Sequence, residues 1–488
     1  MRRKFIAFML VAIFVLSSFV PVFAEIPYRN YHFNHWGVWV PSPLAYVPVR
    51  AIGATDIHPD LEPFDMPMDF AIDAYDYLYI LDTGNNRIIV ANADFDLVRI
   101  IDSFMLNGST ATFRNPQGVF VTRDRYIYVA DTDNNRIVIL DHYGAFIDVL
   151  ENPQDVVLAD DFVFTPLKVA VGRAGIVYVI ARGTTEGMMI FDTYGEFLGF
   201  FGTIAVTINL RDLIWRIFST QAQRDRQRLF IPTEFRGLDI DEYGFVFATH
   251  VSEGDDNQVK RLNPRGDDVL LNLNANVAII GDTDWRPFGA FSGASVFTDI
   301  VARPNGMYSV LDATRSRVYT YDAEGNLLYV FGGPGSVGGM LERPVAINVI
   351  GDTILVLDAF RREIVIYEPT HYGSLINEAV RLLYLNDESG AVEKWHELIL
   401  IDEHFSLAFA GIGRSYFVQG EYRLAMDYLR RGMDMRYYSL AFVRLRNEIL
   451  RESLTYILTG GMVLIGLLIL RKIYRVVRKY KRQAQAEA

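Results

Sequence analysis

The 488-residue chain contains no cysteine. Disulfide bonds, thiol-based catalysis and cysteine-ligated zinc are therefore excluded. Without cross-links the folded state has to be held together by burial, and the 51% of apolar residues can supply a core large enough for that. Aromatic residues make up 13% of the chain, a content that suits many short β-strands.

Net positive charge is confined to the two ends of the chain. The net charge is −12 at pH 7, yet three cations lie within the first four residues and seven follow residue 470. The part between the ends is therefore more acidic than the chain as a whole. Nucleic-acid binding needs a cationic surface, so the sequence disfavours that function.

Residues 1–24 have the three parts of a secretory signal peptide. Basic residues come first, the apolar run Phe5–Phe19 follows, and small residues surround the expected cleavage point after Ala24. The alternative is an uncleaved anchor helix.

A second apolar run, Leu454–Leu470, carries no charge and has the length of a short membrane span. The seven cations that follow it predict a basic cytoplasmic tail, 471–488. The two ends together predict a single-pass protein of the cell membrane, with residues 25–453 on the extracytoplasmic side. A buried core helix is the alternative for the span.

The middle of the chain contains an internal repeat. Tyr79–Ile88 and Tyr128–Ile137 each end an apolar strand in Asp, continue through an Asn-rich turn and enter an Arg-Ile strand. Weaker copies surround Asp312 and Asp358. Each copy supplies the second and third strands of a group of four, with one apolar strand before it and one strand after it. Such groups recur every 46–68 residues. This pattern predicts the blades of a β-propeller.

Counting second strands gives six blades, at Asp82, Asp131, Ala181, Thr249, Asp312 and Asp358. The last blade stops after Ile364–Tyr367 and lacks an outer strand, which Tyr46–Ile52 can supply. That pairing closes the ring and removes an exposed sheet edge. The predicted fold class is therefore an all-β six-bladed propeller over residues 45–369, preceded by an N-terminal segment, 25–44.

These motifs resemble the NHL-repeat family, whose blades carry a Tyr-Val-Ala-Asp strand and an Asn-x-Arg-Ile turn. The resemblance covers roughly residues 45–368 and is specific at Asp82–Ile88 and Asp131–Ile137. It implies a six-bladed propeller used mostly as a binding platform, although some relatives in this superfamily are lactonases or lyases.

After Pro369 the apolar residues take helical spacing, and a pattern of small and large residues recurs after thirty-four positions. The recurring residues are Ala391, Trp395 and Leu398, then Ala425, Leu429 and Gly432. This resembles tetratricopeptide repeats, so 370–452 is predicted to be a small α-helical repeat domain before the transmembrane helix 454–470. The repeats form either a groove for a partner or a rigid stalk.

Three long links between blades are expected on one face of the propeller: Thr203–Glu234, Leu273–Val296 and Gly333–Glu342. The first contains a predicted helix that begins near Asn209. The candidate ligand-binding residues in it are Trp215, Arg216, Arg224, Arg226 and Arg228. The tryptophan offers a stacking surface and the arginines a grip on an anionic or sugar ligand. The alternative is a helix that packs on the propeller with solvated charges.

The repeated turns supply four further candidate ligand-binding residues: Asn86, Arg87, Asn135 and Arg136. In one interpretation they form a polar ring around the central opening. In the other, Asp82 and Asp131 pair with the arginines or cap their own turns.

The residues predict no catalytic set, no metal site and no cofactor. There is no Gly-x-Ser-x-Gly elbow, phosphate loop or Rossmann fingerprint. Among the histidines only His250 lies at a second-strand end, and one histidine does not make a zinc site. Glu253, Asp255 and Asp256 form an acidic cluster that is either a calcium site or a solvated loop.

Three functions remain open. The favoured one is a membrane-anchored binding or scaffold protein, whose propeller recognises a protein or glycan outside the cell and whose helical repeats contact a membrane-complex partner. An extracellular sensor acting through a membrane partner is another.

The third is a metal-dependent lactonase-like or lyase-like enzyme, which requires carboxylates to converge in the central channel. By strand order the channel residues are Asp69, Asp239 and Asp299, with Gly118, Val169 and Ala346 in the other blades.

Overall fold

The structure is a computed structural model that describes residues 28, 30–34, 36–153, 158, 162–202, 234–250, 258–271, 279, 281–282 and 294–486. Residues 1–24, most of the links Thr203–Glu234 and Leu273–Val296, and the acidic cluster at 253–256 lie outside the described residues.

The described strands, in chain order, are β1 (Tyr31–Phe33), β2 (Trp39–Pro41), β3 (Tyr46–Ile52), β4 (Asp69–Ile72), β5 (Leu78–Asp82), β6 (Arg87–Ala91), β7 (Leu97–Ile101), β8 (Ser103–Leu106), β9 (Ser109–Thr112), β10 (Gly118–Val121), β11 (Ile127–Asp131), β12 (Arg136–Leu140), β13 (Phe146–Leu150), β14 (Pro166–Val171), β15 (Val177–Ala181), β16 (Met188–Phe191), β17 (Phe197–Phe201), β18 (Phe235–Ile240), β19 (Val246–His250), β20 (Val259–Leu262), β21 (Phe297–Ala302), β22 (Tyr308–Asp312), β23 (Arg317–Tyr321), β24 (Leu327–Phe331), β25 (Pro344–Ile350), β26 (Thr353–Asp358) and β27 (Glu363–Pro369). The described α-helices are α1 (Ala54–Ile57), α2 (His371–Tyr384), α3 (Glu388–Ile401), α4 (Ser406–Val418), α5 (Tyr422–Arg431) and α6 (Met435–Ala486).

Six sheets form the blades of a propeller. Blades 1 to 6 are β4–β7, β10–β13, β14–β17, β18–β20, β21–β24, and β25–β27 completed by β3. The first strands of neighbouring blades contact one another around a closed ring. Closure comes from β3, which pairs with β27 so that Ile52 lies opposite Ile364 and Tyr46 opposite Pro369. The predicted six-bladed propeller is confirmed, and its ring closes with the strand that precedes blade 1.

The propeller core lies between neighbouring blades. Strands such as β5 and β6 are buried along their whole length, and the apolar side chains of adjacent blades share clusters. Burial on both faces explains why these strands are continuous apolar runs in the sequence and show little polar alternation.

An N-terminal hairpin extends blade 5 beyond the ring, a feature that the sequence did not predict for 25–44. Tyr31 of β1 lies opposite Val330 of β24, and β2 pairs with the other edge of β1. The Tyr31 hydroxyl donates to Asp282 at 2.7 Å and accepts from Arg317 at 2.9 Å. These buried contacts fix the hairpin to the blade.

A second hairpin, β8–β9, was also not predicted. It lies in the link between blades 1 and 2, where Phe104 packs against Phe113. Blade 4 has three strands in the described chain.

The helices of the C-terminal region pack consecutively on one another. Their small residues are needed at close contacts: a β-carbon on Gly413 would lie 2.6 Å from Leu429 Cγ, and one on Gly432 would lie 2.4 Å from the Ala410 nitrogen. Some of the residues that recur at the thirty-four-residue spacing are large and apolar. These residues, such as Trp395 and Leu429, are buried. The predicted helical region is confirmed, whereas its tetratricopeptide character remains an interpretation.

The helical region and the propeller share one hydrophobic core. Leu375 and Ile376 of α2 belong to the same buried cluster as Tyr46, Tyr329 and other residues of blades 5 and 6. Apolar burial on this scale makes the two parts a single body.

A polar network lies within this interface and is buried except at the exposed Asp352. The fully enclosed guanidinium of Arg303 donates to the hydroxyls of Tyr329 at 2.7 Å and Tyr46 at 3.2 Å. Asn377 of α2 accepts from the Tyr329 hydroxyl at 2.8 Å and donates to the Tyr46 hydroxyl at 2.9 Å. Both Arg303 and Asn377 also contact Asp352. We call these five residues the interface network.

The last helix, α6, continues without interruption from the helical region into the apolar run. Within it, Met435–Lys479 is long and apolar enough to cross a membrane. From Met435 to the start of the predicted span at Leu454, the helix rises about 28 Å.

Candidate functional site

The Asn-rich turn of blade 1 builds a hydrogen-bond network inside the blade. Asp82 is fully buried. Its Oδ2 accepts from Arg87 Nε at 2.8 Å and from Asn85 at 2.9 Å, and its Oδ1 accepts the Asp65 N–H at 2.7 Å. The candidate residue Arg87 is therefore held by the blade's own aspartate.

The turn of blade 2 repeats this geometry, with Asp131 accepting from Arg136 at 2.8 Å and from Asn134 at 2.9 Å. Asn86 and Asn135 adopt left-handed backbone angles, φ 52° and 54°, which asparagine tolerates better than most residues. Their positions follow from turn chemistry, and a ligand-binding role for the four turn residues remains a prediction.

The candidates of the first link lie outside the described residues, so the structure does not test their relation to the turns. They are Trp215, Arg216, Arg224, Arg226 and Arg228.

A buried ion-pair cluster joins three non-adjacent blades at the channel. Lys168 of blade 3 donates to Asp69 of blade 1 at 2.7 Å and lies 3.4 Å from a carboxylate oxygen of Asp299 of blade 5. Each carboxylate also accepts a backbone N–H from the following blade at 3.0 Å, Asp69 from Val119 and Asp299 from Ile347. We call Asp69, Lys168 and Asp299 the channel clamp.

Around the ring of first strands, small residues of blades 2, 4 and 6 alternate with the clamp residues of blades 1, 3 and 5. A β-carbon on Gly118 of blade 2 would lie 2.9 Å from Lys168 Cα, and one on Gly237 of blade 4 would lie 2.6 Å from Asp299 Cα. Blade 6 places Ala346 opposite Leu357, the position that Asp299 holds opposite Leu311 in blade 5. Charged side chains thus come from blades 1, 3 and 5, whereas blades 2 and 4 have glycine because the backbone of the next blade lies too close for a β-carbon.

The opposite charges within the clamp favour each other's ionised form, whereas Asp69 disfavours the ionised form of Asp299. Burial lowers the pKa of Lys168, but the carboxylates of Asp299 and Asp69 outweigh burial, so the pKa lies above its usual value. Burial raises the pKa of Asp299, and the Lys168 ammonium opposes that rise. Lys168 is therefore a charged partner of carboxylates at neutral pH and not an amine nucleophile.

The structure corrects the channel residue of blade 3. Strand order placed Val169 there, but a register shift in the pairing of β14 with β15 falls between Pro166 and Lys168. Val169 is instead buried in the cluster between blades 2 and 3. A one-residue slip moves a side chain to the other face of a strand, which is why the sequence pattern pointed to the wrong residue.

The contacts of the channel clamp disfavour the alternative function, a metal-dependent lactonase-like or lyase-like enzyme. Its two carboxylates are engaged by Lys168 and by backbone N–H groups, so a divalent cation would have to displace an ammonium. Within the described ranges no group of three or more Asp, Glu or His side chains is arranged to hold a metal ion. His250 is buried at the end of β19, with its ring 6.2 Å from that of Phe235.

Asp239 gives blade 4 a pH dependence, although Gly237 and not Asp239 takes the ring position that strand order predicted, because the pairing of β18 with β19 shifts between Phe235 and Leu238. Its Oδ2 accepts the Ala302 N–H at 2.8 Å, and burial raises its pKa to about 7 although this hydrogen bond opposes the rise. The native state therefore holds a proton that the unfolded chain releases near pH 4, so the free energy of unfolding falls as pH rises between about 4 and 7.

We expect Asp239→Asn to remove the free-energy cost of ionising this buried carboxyl group. The melting temperature of the variant relative to wild type should rise as pH increases from about 4 to 7. The corresponding gain in the free energy of unfolding is on the order of 2 kcal/mol. Circular-dichroism melts at several pH values measure it, with the exposed Glu242→Gln as the control. A difference between variant and wild type that does not change with pH would contradict the assignment.

An open cleft of about 370 Å³ lies where the N-terminal hairpin meets the helical region. Asn34 and Trp36 from the hairpin line one side, and Glu403, His404, Phe409 and Arg431 from the helices and their loops line the other. We call it the junction cleft. The hairpin is held there by His32, whose Nε2 lies 3.4 Å from Asp402. This cleft was not predictable from the sequence, because its two sides are far apart in the chain.

No protein-family model matches the sequence, and no curated protein matches it. Solved structures do share the propeller shape. Virginiamycin B lyase from Staphylococcus aureus is 10% identical, with a TM-score of 0.40 over 65% of this chain and 98% of that one. A streptogramin B lyase is 10% identical, with a TM-score of 0.40 over 67% of this chain and 98% of that one. A protein of unknown function from Bacteroides caccae is 9% identical, with a TM-score of 0.34 over 62% and 93%. Likenesses this distant carry no assignment of activity to the chain.

Proposed function

We propose that this chain is a membrane-anchored binding and scaffold protein, which holds its propeller and helical region outside the cell as one body and presents that body to a protein partner. The shared core of α2 with blades 5 and 6 carries this proposal. A scaffold needs such a core, because the geometry of its binding surfaces must be fixed.

The membrane part of the proposal rests on α6. One continuous helix leads from the helical region into an apolar stretch, and a cluster of cations follows that stretch. Cations on one side of a span favour the cytoplasmic side, which puts the propeller outside. The engaged carboxylates of the channel clamp support binding over metal-dependent chemistry.

Single cysteines test the arrangement cleanly, because the natural chain has none. We choose Tyr194→Cys on the propeller and Leu400→Cys on α3, whose native side chains are each 87% exposed, and Ala484→Cys in the tail. In intact cells a membrane-impermeant maleimide should label the first two cysteines. The third should react only after lysis.

The same variants report on a partner. A photoreactive maleimide attached at Leu400→Cys in native membranes should give a discrete cross-linked adduct, whereas Tyr194→Cys should give none. Labelling of Ala484→Cys in intact cells would overturn the orientation. Identical cross-linking patterns from the two sites, or no adduct from Leu400→Cys, would remove the partner role of the helical region.

A further inference from the structure

We infer that the open half of one propeller face, on blades 1 and 2, docks a folded protein partner through Tyr75 and Tyr143. We call this face the turn face. It carries the turns between first and second strands and between third and fourth strands of the blades, because consecutive strands are antiparallel. The inference rests on the proposed scaffold function and assigns the propeller a docking surface.

The helical region already docks on the other half of the turn face. The Tyr384 hydroxyl of α2 donates to the Tyr243 hydroxyl of blade 4 at 3.0 Å, and Arg414 of α4 donates to Glu324 of blade 5 at 2.8 Å. The interface network joins α2 to the turn between the first and second strands of blade 6. The turn face is therefore a protein-docking surface within the chain itself.

Two of these contact positions belong to one turn type. In it an Asp or Asn side chain accepts the backbone N–H groups two and four residues later, as Asp241 does from Tyr243 and Phe245. The residue two places after the Asp or Asn is a tyrosine in four such turns: Tyr75, Tyr143, Tyr194 and Tyr243. In three other turns of the described chain it is Asp94, Arg265 and Glu324. The turn thus fixes the backbone at this position without requiring tyrosine, and in blades 4 and 5 the position contacts a helix.

Tyr75 and Tyr143 hold the same turn position on blades 1 and 2 and are 65% and 68% exposed. An arginine of the neighbouring blade lies over each ring. The guanidinium carbon of Arg125 is 5.3 Å from the ring centroid of Tyr75, and that of Arg99 is 5.2 Å from the centroid of Tyr143. Arg125 is held in turn by Asp73 at 2.8 Å. Rings that are fixed before binding lose little entropy on binding.

Tyr194 marks the limit of the docking surface. It holds the same turn position on blade 3 and is 87% exposed, but among the described residues no arginine lies over its ring. The fixed rings are therefore those of blades 1 and 2. Tyr194 is the natural reference outside the surface, in agreement with the absence of an adduct expected for Tyr194→Cys.

Continuity with the docked helical region favours a protein over a glycan or a lipid. The occupied positions of the turn face contact a hydroxyl and a guanidinium on helices, so a helix surface with such donors fits the open positions too. Tyrosine and arginine are also the residues enriched at the energetically dominant positions of protein interfaces. Blade 1 is next to blade 6 in the ring, so a partner bound to the helical region can extend onto the open half.

The first test is hydroxyl-radical footprinting of the wild-type chain, with the oxidation of single tyrosines measured by mass spectrometry. The oxidation of Tyr75 and of Tyr143 is divided by that of Tyr194, so that scavenging by the sample cancels. Both ratios should be at least about fivefold lower in native membranes than in nanodiscs that hold the purified full-length chain and the same lipids, because a bound partner covers the two rings.

The second test asks whether the tyrosines hold the partner. Benzophenone maleimide attached at Ala74→Cys, an exposed position beside Tyr75, should give a discrete adduct with a second protein in native membranes. Adding Tyr143→Ala should lower the adduct yield at least about fivefold, since truncation of an anchoring aromatic residue costs more than 1 kcal/mol. Tyr194→Ala is the matched control, at the same turn position, and should leave the yield unchanged. Equal melting temperatures establish that the variants are folded.

Equal footprinting ratios in membranes and nanodiscs, or equal adduct yields in Tyr143→Ala and Tyr194→Ala, would overturn the inference. Ratios that are lower in nanodiscs than in detergent would assign the face to lipid. Ratios that fall when the cell-surface glycan fraction is added to the nanodiscs would assign it to a glycan. Either result would overturn the inference too.

The outcome is separate from that of the Leu400→Cys test. If the ratios do not differ while Leu400→Cys still forms an adduct, the scaffold function stands and its partner leaves the turn face open. If the ratios fall in membranes without a Leu400→Cys adduct, the propeller holds the partner and the helical region does not.

Discussion

Lys168→Met is expected to destabilise the propeller by about 3–5 kcal/mol at neutral pH. The substitution removes the ammonium that contacts Asp69 at 2.7 Å and Asp299 at 3.4 Å, and leaves two buried carboxylates without a cation. Burial already raises the pKa of Asp299, and the loss of Lys168 removes the main opposing effect. Urea unfolding of the detergent-solubilised full chain, followed by circular dichroism, measures the loss.

Two further measurements identify the cause as charge and not lost packing. The deficit should shrink as pH is lowered to about 5, because burial raises the pKa of Asp299 and protonation neutralises its stranded carboxylate. The triple variant Asp69→Asn, Lys168→Met, Asp299→Asn should recover most of the loss, since each Asn carbonyl can still accept the backbone N–H of Val119 or Ile347. Packing loss alone would show neither the pH dependence nor the recovery.

Lys260→Met is the matched control. Lys260 also pairs with an aspartate, Asp268 at 3.2 Å, but both side chains are partly exposed. A pair of this kind contributes about 0–1 kcal/mol, so the control should be nearly neutral. If Lys168→Met were as mild as the control, the clamp would not hold the blades together.

The propeller was predictable because its signal is local and repeated. Asp82 with Arg87 and Asp131 with Arg136 are five residues apart in each copy, and the same turn chemistry produces both. The closing strand was predictable for a different reason. Tyr46–Ile52 resembles the outer strand of blade 5 and could therefore complete the sixth blade, and the structure pairs it there.

The clamp could not be read from the sequence, because a strand's register decides which side chain reaches the channel. The shift between Pro166 and Lys168 is invisible in the apolar pattern of β14. Lys168 also carries a charge, which on a first strand suggests an exposed position until its two partners from blades 1 and 5 are known.

The junction cleft and the interface network were not predicted, because the residues that form them are far apart in the sequence. The sides of the cleft are Trp36 and Arg431, nearly four hundred positions apart, and each alone is an ordinary surface residue. Asn377 belongs to an amphipathic helix in which one polar residue falls on the buried face. Its hydrogen bonds with the Tyr46 and Tyr329 hydroxyls and with Asp352 explain its place there.

Arg303→Met is expected to loosen the helical region from the propeller. The substitution removes the charge-assisted hydrogen bonds from the guanidinium to the Tyr46 and Tyr329 hydroxyls, which contribute about 1.5–3 kcal/mol each, and leaves both hydroxyls bonded to Asn377. Limited proteolysis should then cut near Pro369, where β27 ends and α2 follows, at a protease concentration that leaves the wild type intact. Arg381→Met on α2 removes only an exposed pair with Glu378 and should not change the cleavage rate.

A double-mutant cycle with Asn377→Leu decides whether the interface network acts as a unit. Arg303 and Asn377 contact the same two hydroxyls and the same carboxylate of Asp352, so their losses should not add. We expect a coupling free energy of about 1–3 kcal/mol. Additive losses would mean that apolar burial alone docks the helices. Strong coupling would mean that Arg303 on blade 5, Tyr46 on the closing strand and α2 are fixed together, so that closing the ring and docking the helical region are one structural event.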